Sequence, residues 1–182
     1  MAVDTAAPAD FFTADPVHSS VTFSVSSMAI STFRGSFGKV KATIQLPNDG
    51  HASLTGSIET DSISIREPPE FRAHLLSDGF FAAEAYPQIT FDSTEVTLTE
   101  NGEAVVIGNL TLRGVTQEVT ARGRWAEPTI DASGKRRAHL SLEATIDRRV
   151  FGMNWNQELP DGGDALGNEV TVSAELPLIS TA

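Results

Sequence analysis

Apolar and polar residues alternate along most of this chain with a period of two, which predicts half-buried β-strands rather than helices. Val17, Val21, Phe23 and Val25 are interleaved with Ser20, Thr22 and Ser24. After a turn-like segment from Met28 to Gly35, Val40, Ala42, Ile44 and Leu46 alternate with Lys41, Thr43 and Gln45. Pro47-Asn48-Asp49-Gly50 then predicts a hairpin turn. Leu54, Gly56 and Ile58 form a third strand whose phase changes at Ile63 and Ile65, which places a bulge or bend near residues 60–62. Further on, Ile89 and Phe91 give way to Val96 and Leu98 in the other phase, so a second bulge is expected near residues 93–95. Asn101-Gly102 and Arg113-Gly114 separate three more strands, which carry Val96 and Leu98, then Val106 to Leu112, then Val115 to Trp125. A turn over 131–134 leads to Ala138, Leu140, Leu142, Ala144 and Ile146, and the last strand holds Val170 to Leu178.

One stretch breaks the pattern. From Arg66 to Phe91 the spacing predicts a short helical insert. Pro68 and Pro69 suit a first turn that needs no N–H, Glu70 favours its dipole, and Phe71 and Leu75 fall four apart on one face. Asp78-Gly79 ends the helix, Phe80-Phe81 forms an aromatic anchor, and Tyr86-Pro87 forces an extended entry into the next strand. Strict strands on both sides make this insert a lid over something they build.

Eight strands, short turns and no long crossover predict an all-β, antiparallel meander that closes into a barrel and so removes its edges. Such a barrel is just wide enough to be filled by side chains or to hold one small ligand. Ala42, Gly56, Gly108, Ala121, Gly123, Ala138, Ala144 and Ala174 are small at inward positions and favour space, whereas Phe23, Phe37, Phe91, Trp125, Phe151 and Trp155 could plug it. Alternation alone leaves both open.

Composition narrows the partners. With 24 acidic against 13 basic residues the net charge is −11, which argues against nucleic acid and anionic membrane surfaces. Hydrophobic residues make up 40% and charged residues 20%, the balance of a soluble globular chain, and no stretch is long enough for stable membrane insertion. There is no cysteine, so disulfides and thiolate chemistry are excluded. The chain divides into an N-terminal extension over 1–12 and one domain over 13–180. Without a basic and apolar leader the expectation is a cytoplasmic protein, or a periplasmic or secreted one if the numbering starts at a mature form.

The order and spacing of several short motifs are specific. They are Asp15-Pro16-Val17-His18-Ser19 with Val21-Thr22-Phe23, and Arg34-Gly35-Ser36-Phe37. Residues 72–81, from Arg72 to Phe81, and Tyr86-Pro87-Gln88-Ile89-Thr90-Phe91 follow. Gly108-Asn109-Leu110-Thr111-Leu112-Arg113-Gly114, Ile146-Asp147-Arg148, and Phe151-Gly152-Met153-Asn154-Trp155-Asn156 complete the set. Together they resemble the YceI-like family, a lipocalin-like group of bacterial barrels. The resemblance implies an eight-stranded barrel capped by a helix and enclosing an apolar channel for a polyisoprenoid, isoprenoid quinone or fatty-chain lipid. It also implies a homodimer in many members and secretion to the periplasm in many. Three departures stand out: Ser27 in place of a histidine, Ala73 in place of an acidic residue, and the missing signal peptide.

The expected ligand wall is Phe23, Phe37, Phe71, Phe80, Phe81, Phe91, Phe151 and Trp155, with Leu75, Trp125, Ile44, Ile58, Leu110 and Leu142. Core packing alone would also explain these residues. Arg72 and His74 on the lid could meet a polar head group, or could tie the helix to nearby carbonyls. Arg34, Arg66, Arg148 and Arg149 are weaker candidates whose default is a solvated turn charge. His18 is expected in a buried hydrogen-bonded cluster with Asp15 and Ser19. The four histidines at 18, 51, 74 and 139 are scattered, and no metal or cofactor is expected. The 159–164 loop reads as a hairpin rather than a calcium loop, and Asn109-Leu110-Thr111 lies inside a strand. The function expected is binding, sequestration or transport of a long apolar lipid. The alternative is a cofactor-independent cyclase or isomerase acting on a polyene or polyketide in the same cavity, with His74 as its acid or base.

Overall fold

The computed structural model describes residues 10–47 and 50–181. Its strands are β1 (Asp10–Ala14), β2 (Ser20–Ser27), β3 (Ser31–Phe37), β4 (Val40–Leu46), β5 (Ser53–Glu59), β6 (Gln88–Leu98), β7 (Glu103–Leu112), β8 (Val115–Ile130), β9 (Arg136–Asp147) and β10 (Leu166–Ser180). One α-helix, α1 (Pro69–Leu75), interrupts them. From β4 to β10 each strand pairs with the next, the expected antiparallel meander.

Closure depends on the length of β10. Along one of its edges it pairs first with β2, from Leu166↔Ser27 to Glu175↔Ser20, and then with β1, from Ala14↔Leu178 to Phe12↔Ser180. β1 and β2 therefore share one place in the ring. β3 and β4, paired to β2 and β1 respectively, share the next. The result is an eight-stranded closed antiparallel barrel with one helical insert, as the alternation predicts.

Two details depart from the pattern reading. Ser31–Phe37 is a strand, not a turn; only its approach, at Met28 and Ala29, has the positive φ values of a tight turn. Its Ser, Thr and Gly residues carry the composition of a loop, and tertiary pairing with β2 overrides it. Val17 is 81% exposed and belongs to a turn, because Asp15 accepts hydrogen bonds from the Val17 and His18 N–H groups and breaks the extended chain between β1 and β2. Of the extension expected over 1–12, residues 1–9 lie outside the described residues, and Asp10 to Phe12 belong to β1. In the hairpin at 47–50, Asn48 and Asp49 also lie outside them, and the Gly50 N–H donates to the Pro47 carbonyl at 3.1 Å.

Both predicted phase changes are present. A 3-10 turn occupies Thr60–Ser62, and the β6–β7 register shifts between Ser93 and Glu95. β8 runs beyond Trp125 to Ile130, with a further shift between Ala126 and Thr129.

The insert is held at its base. Thr60, fully buried, donates from Oγ1 to the Tyr86 carbonyl at 3.0 Å, and its N–H donates to the Pro87 carbonyl at 2.9 Å. The outer edge of β3 meets this segment through a Phe37↔Ile63 bridge and a Ser64 N–H bond to the Ser36 carbonyl. Two apolar clusters result. One packs the far end of the barrel around Phe12, Ile44, Val106, Trp125, Leu140 and Leu178. The other gathers Phe37, Ile63, Leu75, Phe80, Phe81, Phe151 and Met153 beneath the lid.

Candidate functional site: a lidded apolar channel

Between the packed end and the lid the barrel is hollow. One cavity of about 150 Å³ lies in the barrel body, and another of about 300 Å³ lies beneath the lid. Val21, Ile58, Ile89, Leu110, Ile146 and Val172 line both, so the two cavities adjoin across an apolar waist. Ligand cavities commonly measure roughly 300 to 1,000 Å³, so the space suits a thin chain rather than a bulky ring system.

Residue size explains where the space lies. Ala42, Gly56, Ala121, Ala144 and Ala174 form a belt around the body cavity. The other small inward residues add none to it. A side chain on Gly108 would meet the Phe91 ring and the Asp92 carbonyl, and one on Gly123 would run into the Ser141 carbonyl, so these two serve close strand approach. Ala138 is buried in the far core. An apolar cavity and a packed core therefore coexist in one barrel.

The lid cavity has an aromatic wall. Phe23 lies 5.7 Å from Phe37 and 6.0 Å from Phe81, while Phe37 meets Phe81 edge-on at 5.4 Å. The His74 ring stands edge-on to Phe80 at 5.0 Å and to Trp155 at 4.9 Å. Phe71, 37% exposed, reaches over to Phe33 at 5.7 Å and links the helix to β3.

Of the expected wall, Phe23, Phe37, Phe71, His74, Leu75, Phe80, Phe81 and Trp155 line the lid cavity. Phe91 and Leu142 line the body cavity, and Ile58 and Leu110 line both. Ile44 and Trp125 sit instead in the far core, and Phe151 packs in the core under the lid. Arg72 lines neither cavity. Its guanidinium donates to the carbonyls of Asp61 at 2.7 Å, Ile63 at 3.2 Å and Ile65 at 3.3 Å, and so ties α1 to the chain leaving β5.

Among the other cations, Arg34, Arg66 and Arg149 are exposed, Arg34 on the strand β3 rather than in the expected turn. Arg148 is not: it is 2% exposed and lines the lid cavity. Burial pushes its pKa down from the usual arginine range, opposed by the charge of Asp147. The expected Asp15–His18–Ser19 cluster is not a buried one. Asp15 Oδ2 and His18 Nδ1 lie 2.9 Å apart, yet the His18 side chain is 72% exposed, and the buried Ser19 hydroxyl has no hydrogen-bond partner among the described residues. The 159–164 segment is the expected hairpin, with the Leu159 N–H donating to the Gly163 carbonyl at 2.8 Å.

Sequence reasoning did not single out Met28, Phe33, Met153, Gln157 and Leu166 as lining residues, although all face the lid cavity. Phe33 alternates with Gly35 and Phe37, which is the signal a strand reading of that segment would have used. Met153 carries no such signal, because a loop brings it in, and Leu166 lies at the start of β10, ahead of the alternation that the sequence shows.

The fold and the cavity define a class: a closed eight-stranded β-barrel whose helical lid covers an apolar channel. The chain belongs to the YceI-like family, whose model matches residues 12–178. A UPF0312 protein of Staphylococcus aureus (strain N315) is 31% identical over 168 residues, covering 90% of this chain and 94% of that protein. BcnA of Burkholderia cenocepacia shares the fold with a TM-score of 0.73 at 20% identity, over 92% of this chain and 99% of its own. A polyisoprenoid binding domain from Saccharophagus degradans shares it with a TM-score of 0.64 at 15% identity, over 93% and 98%. Among the described residues no helix is long and apolar enough to cross a membrane.

Proposed function

We propose that the protein binds a long apolar lipid, a polyisoprenoid, isoprenoid quinone or fatty-chain amphiphile, and sequesters or carries it in the barrel without altering it. The observation that carries this reading is the pair of adjoining apolar cavities, one beneath the lid and one at the belt of small residues, with a shared waist between them. Burial of each CH₂-sized group contributes about 0.8 kcal/mol, so a chain filling both cavities is held mainly by desolvation. The likeness to the Saccharophagus degradans polyisoprenoid binding domain supports the same ligand class. Ligand access requires movement of the lid, whose Phe71–Phe33 contact is the exposed part of its seam.

Organic extraction of the purified protein followed by mass spectrometry tests the proposal. A single isoprenoid or fatty-chain species in fixed molar ratio is the expected result. A folded protein that carries no lipid and takes up none of a polyprenol, a quinone or a fatty acid when offered would overturn it. Conversion of an offered polyene to a cyclised or isomerised product would instead select the enzymatic reading, with His74 as the first residue to replace.

A further inference from the structure

Arg148 opens the 3-10 turn that follows β9 (Arg148–Phe151), and it is a cation almost wholly removed from water in the wall of an apolar cavity. Its donors meet carbonyls: Nε to Gly167 at 2.8 Å, and Nη1 to Met153 at 2.6 Å and Trp155 at 2.8 Å. Nη2, with two N–H groups, has only the Leu166 carbonyl at 3.4 Å, and that oxygen already accepts from Asn156 Nδ2 at 2.7 Å. Nη2 is therefore the underused end of the fork. Carbonyls satisfy donors but bring no net charge. Among the described residues no carboxylate stands within ion-pair distance of Arg148, and Asp147 beside it is occupied by Arg149 at 2.7 Å. Asp147 and Asp164 offset the charge only from a distance. Burying a charge without a directly paired counter-charge is expensive, and bridging a loop to β10 does not require one: Asn156 binds the Leu166 carbonyl and N–H as a neutral amide. Ser27, His74 and Gln157 line the same cavity and add polar atoms near its lid end.

We propose that Arg148 is the head-group site of the channel and that the head it receives is an oxyanion, a phosphate or a carboxylate, with the tail passing through the waist. This rests on the lipid-binding reading above and adds the polar chemistry that reading leaves open. A guanidinium takes such groups by charge-assisted hydrogen bonds, and an apolar surround strengthens them. The protein's net charge of −11 repels anions at a distance, so selection for them has to arise at this buried point. Buried pairs are screened little by salt, so the preference should persist at high ionic strength.

The test is a matched-tail series, hexadecanol, hexadecylamine, hexadecanoate and hexadecyl phosphate, titrated into delipidated wild-type protein at low and high salt. The anions should bind at least about tenfold tighter than the alcohol, and the amine weakest. The order of phosphate and carboxylate identifies which oxyanion the site prefers. In Arg148→Gln the ratio of alcohol to anion dissociation constants should collapse toward one, while Arg148→Lys should keep part of it. Because Arg148→Gln also takes the donor from the Gly167, Met153 and Trp155 carbonyls and could cost folding, the wild-type series by itself decides. Equal affinity for alcohol and anions overturns the head-group site and leaves the lipid channel standing. Failure of all four to bind overturns both.

Discussion

On β9, Leu140 is fully buried against the core that contains Trp125 and Leu178, whereas Ala144 and Ile146, further along the same face, border open space. β10 repeats the contrast, with Leu178 packed and Ala174 and Val172 lining the channel. Binary patterning is identical at the two ends. Side-chain volume differs, and volume is what separates a foundation from a binding space. The packed end supplies the cohesion that lets the other end stay hollow, since each unfilled region forfeits dispersion contacts.

The strongest way to break this contrast is truncation. Leu140→Ala should cost about 2–5 kcal/mol, because it opens a void where none exists. Leu110→Ala, at the waist, should cost about 1 kcal/mol, since that side chain already faces a cavity. Urea midpoints with unchanged m-values measure both, and equal losses would mean that the channel is closed in solution.

Enlargement should invert the order. Ala138→Phe at the packed end should destabilise by about 1–3 kcal/mol through overpacking. Ala144→Phe grows into the body cavity, so its cost should stay below about 1 kcal/mol while uptake of long tails is lost. Thermal melts and lipid titration of the two variants read these effects separately.

At the lid, Phe71→Ala removes one exposed edge-to-face contact, and a loss of about 0.5–1.5 kcal/mol is expected. Exchange of a fluorescent fatty acid should become faster in this variant. An unaltered exchange rate would mean that tails enter elsewhere.

The smallest effect is electrostatic and outside the channel. Hydrogen bonds from Arg149 hold the Asp147 carboxyl down to about 2, and Ser133, then Arg137, hold Asp131 well below the usual range. A carboxyl whose folded pKa lies below its unfolded value of about 3.9 stabilises the fold above that pH. Its share is lost as the pH falls from about 4 toward 2. Asp147→Asn should flatten that part of a stability–pH curve, and an unchanged slope would show that the Arg149 contact is not kept in solution.

The lid was legible because it breaks a period. Pro68 and Pro69 start it, Phe80 and Phe81 anchor it, and a chain of alternating strands offers no other use for them. β3 was not, since Ser31, Thr32, Gly35 and Ser36 have the composition of a turn. Gly35 there leaves room for the Phe23 ring and the Ile65 side chain, a fact of contact between distant residues that no local window contains. Arg72 and Arg148 show the same limit. Both are arginines on short helical segments, yet one is spent on three carbonyls outside the cavity and the other is buried in its wall.

The sequence by itself determined β2 and the strands from β4 to β10, their antiparallel order, the phase changes near 60–62 and 93–95 and the lid, because period and turn chemistry act over a few residues. It also determined the belt of small side chains. Only the tertiary structure decided that Gly108 and Gly123 are consumed by close strand contacts while Ala121 and Ala144 leave a channel, because space is set by what stands opposite. Only it decided that Arg148 lies inside. Burial of a charge depends on the loop from Gly152 to Ala165 folding back over β10, which is a matter of closure rather than of local pattern.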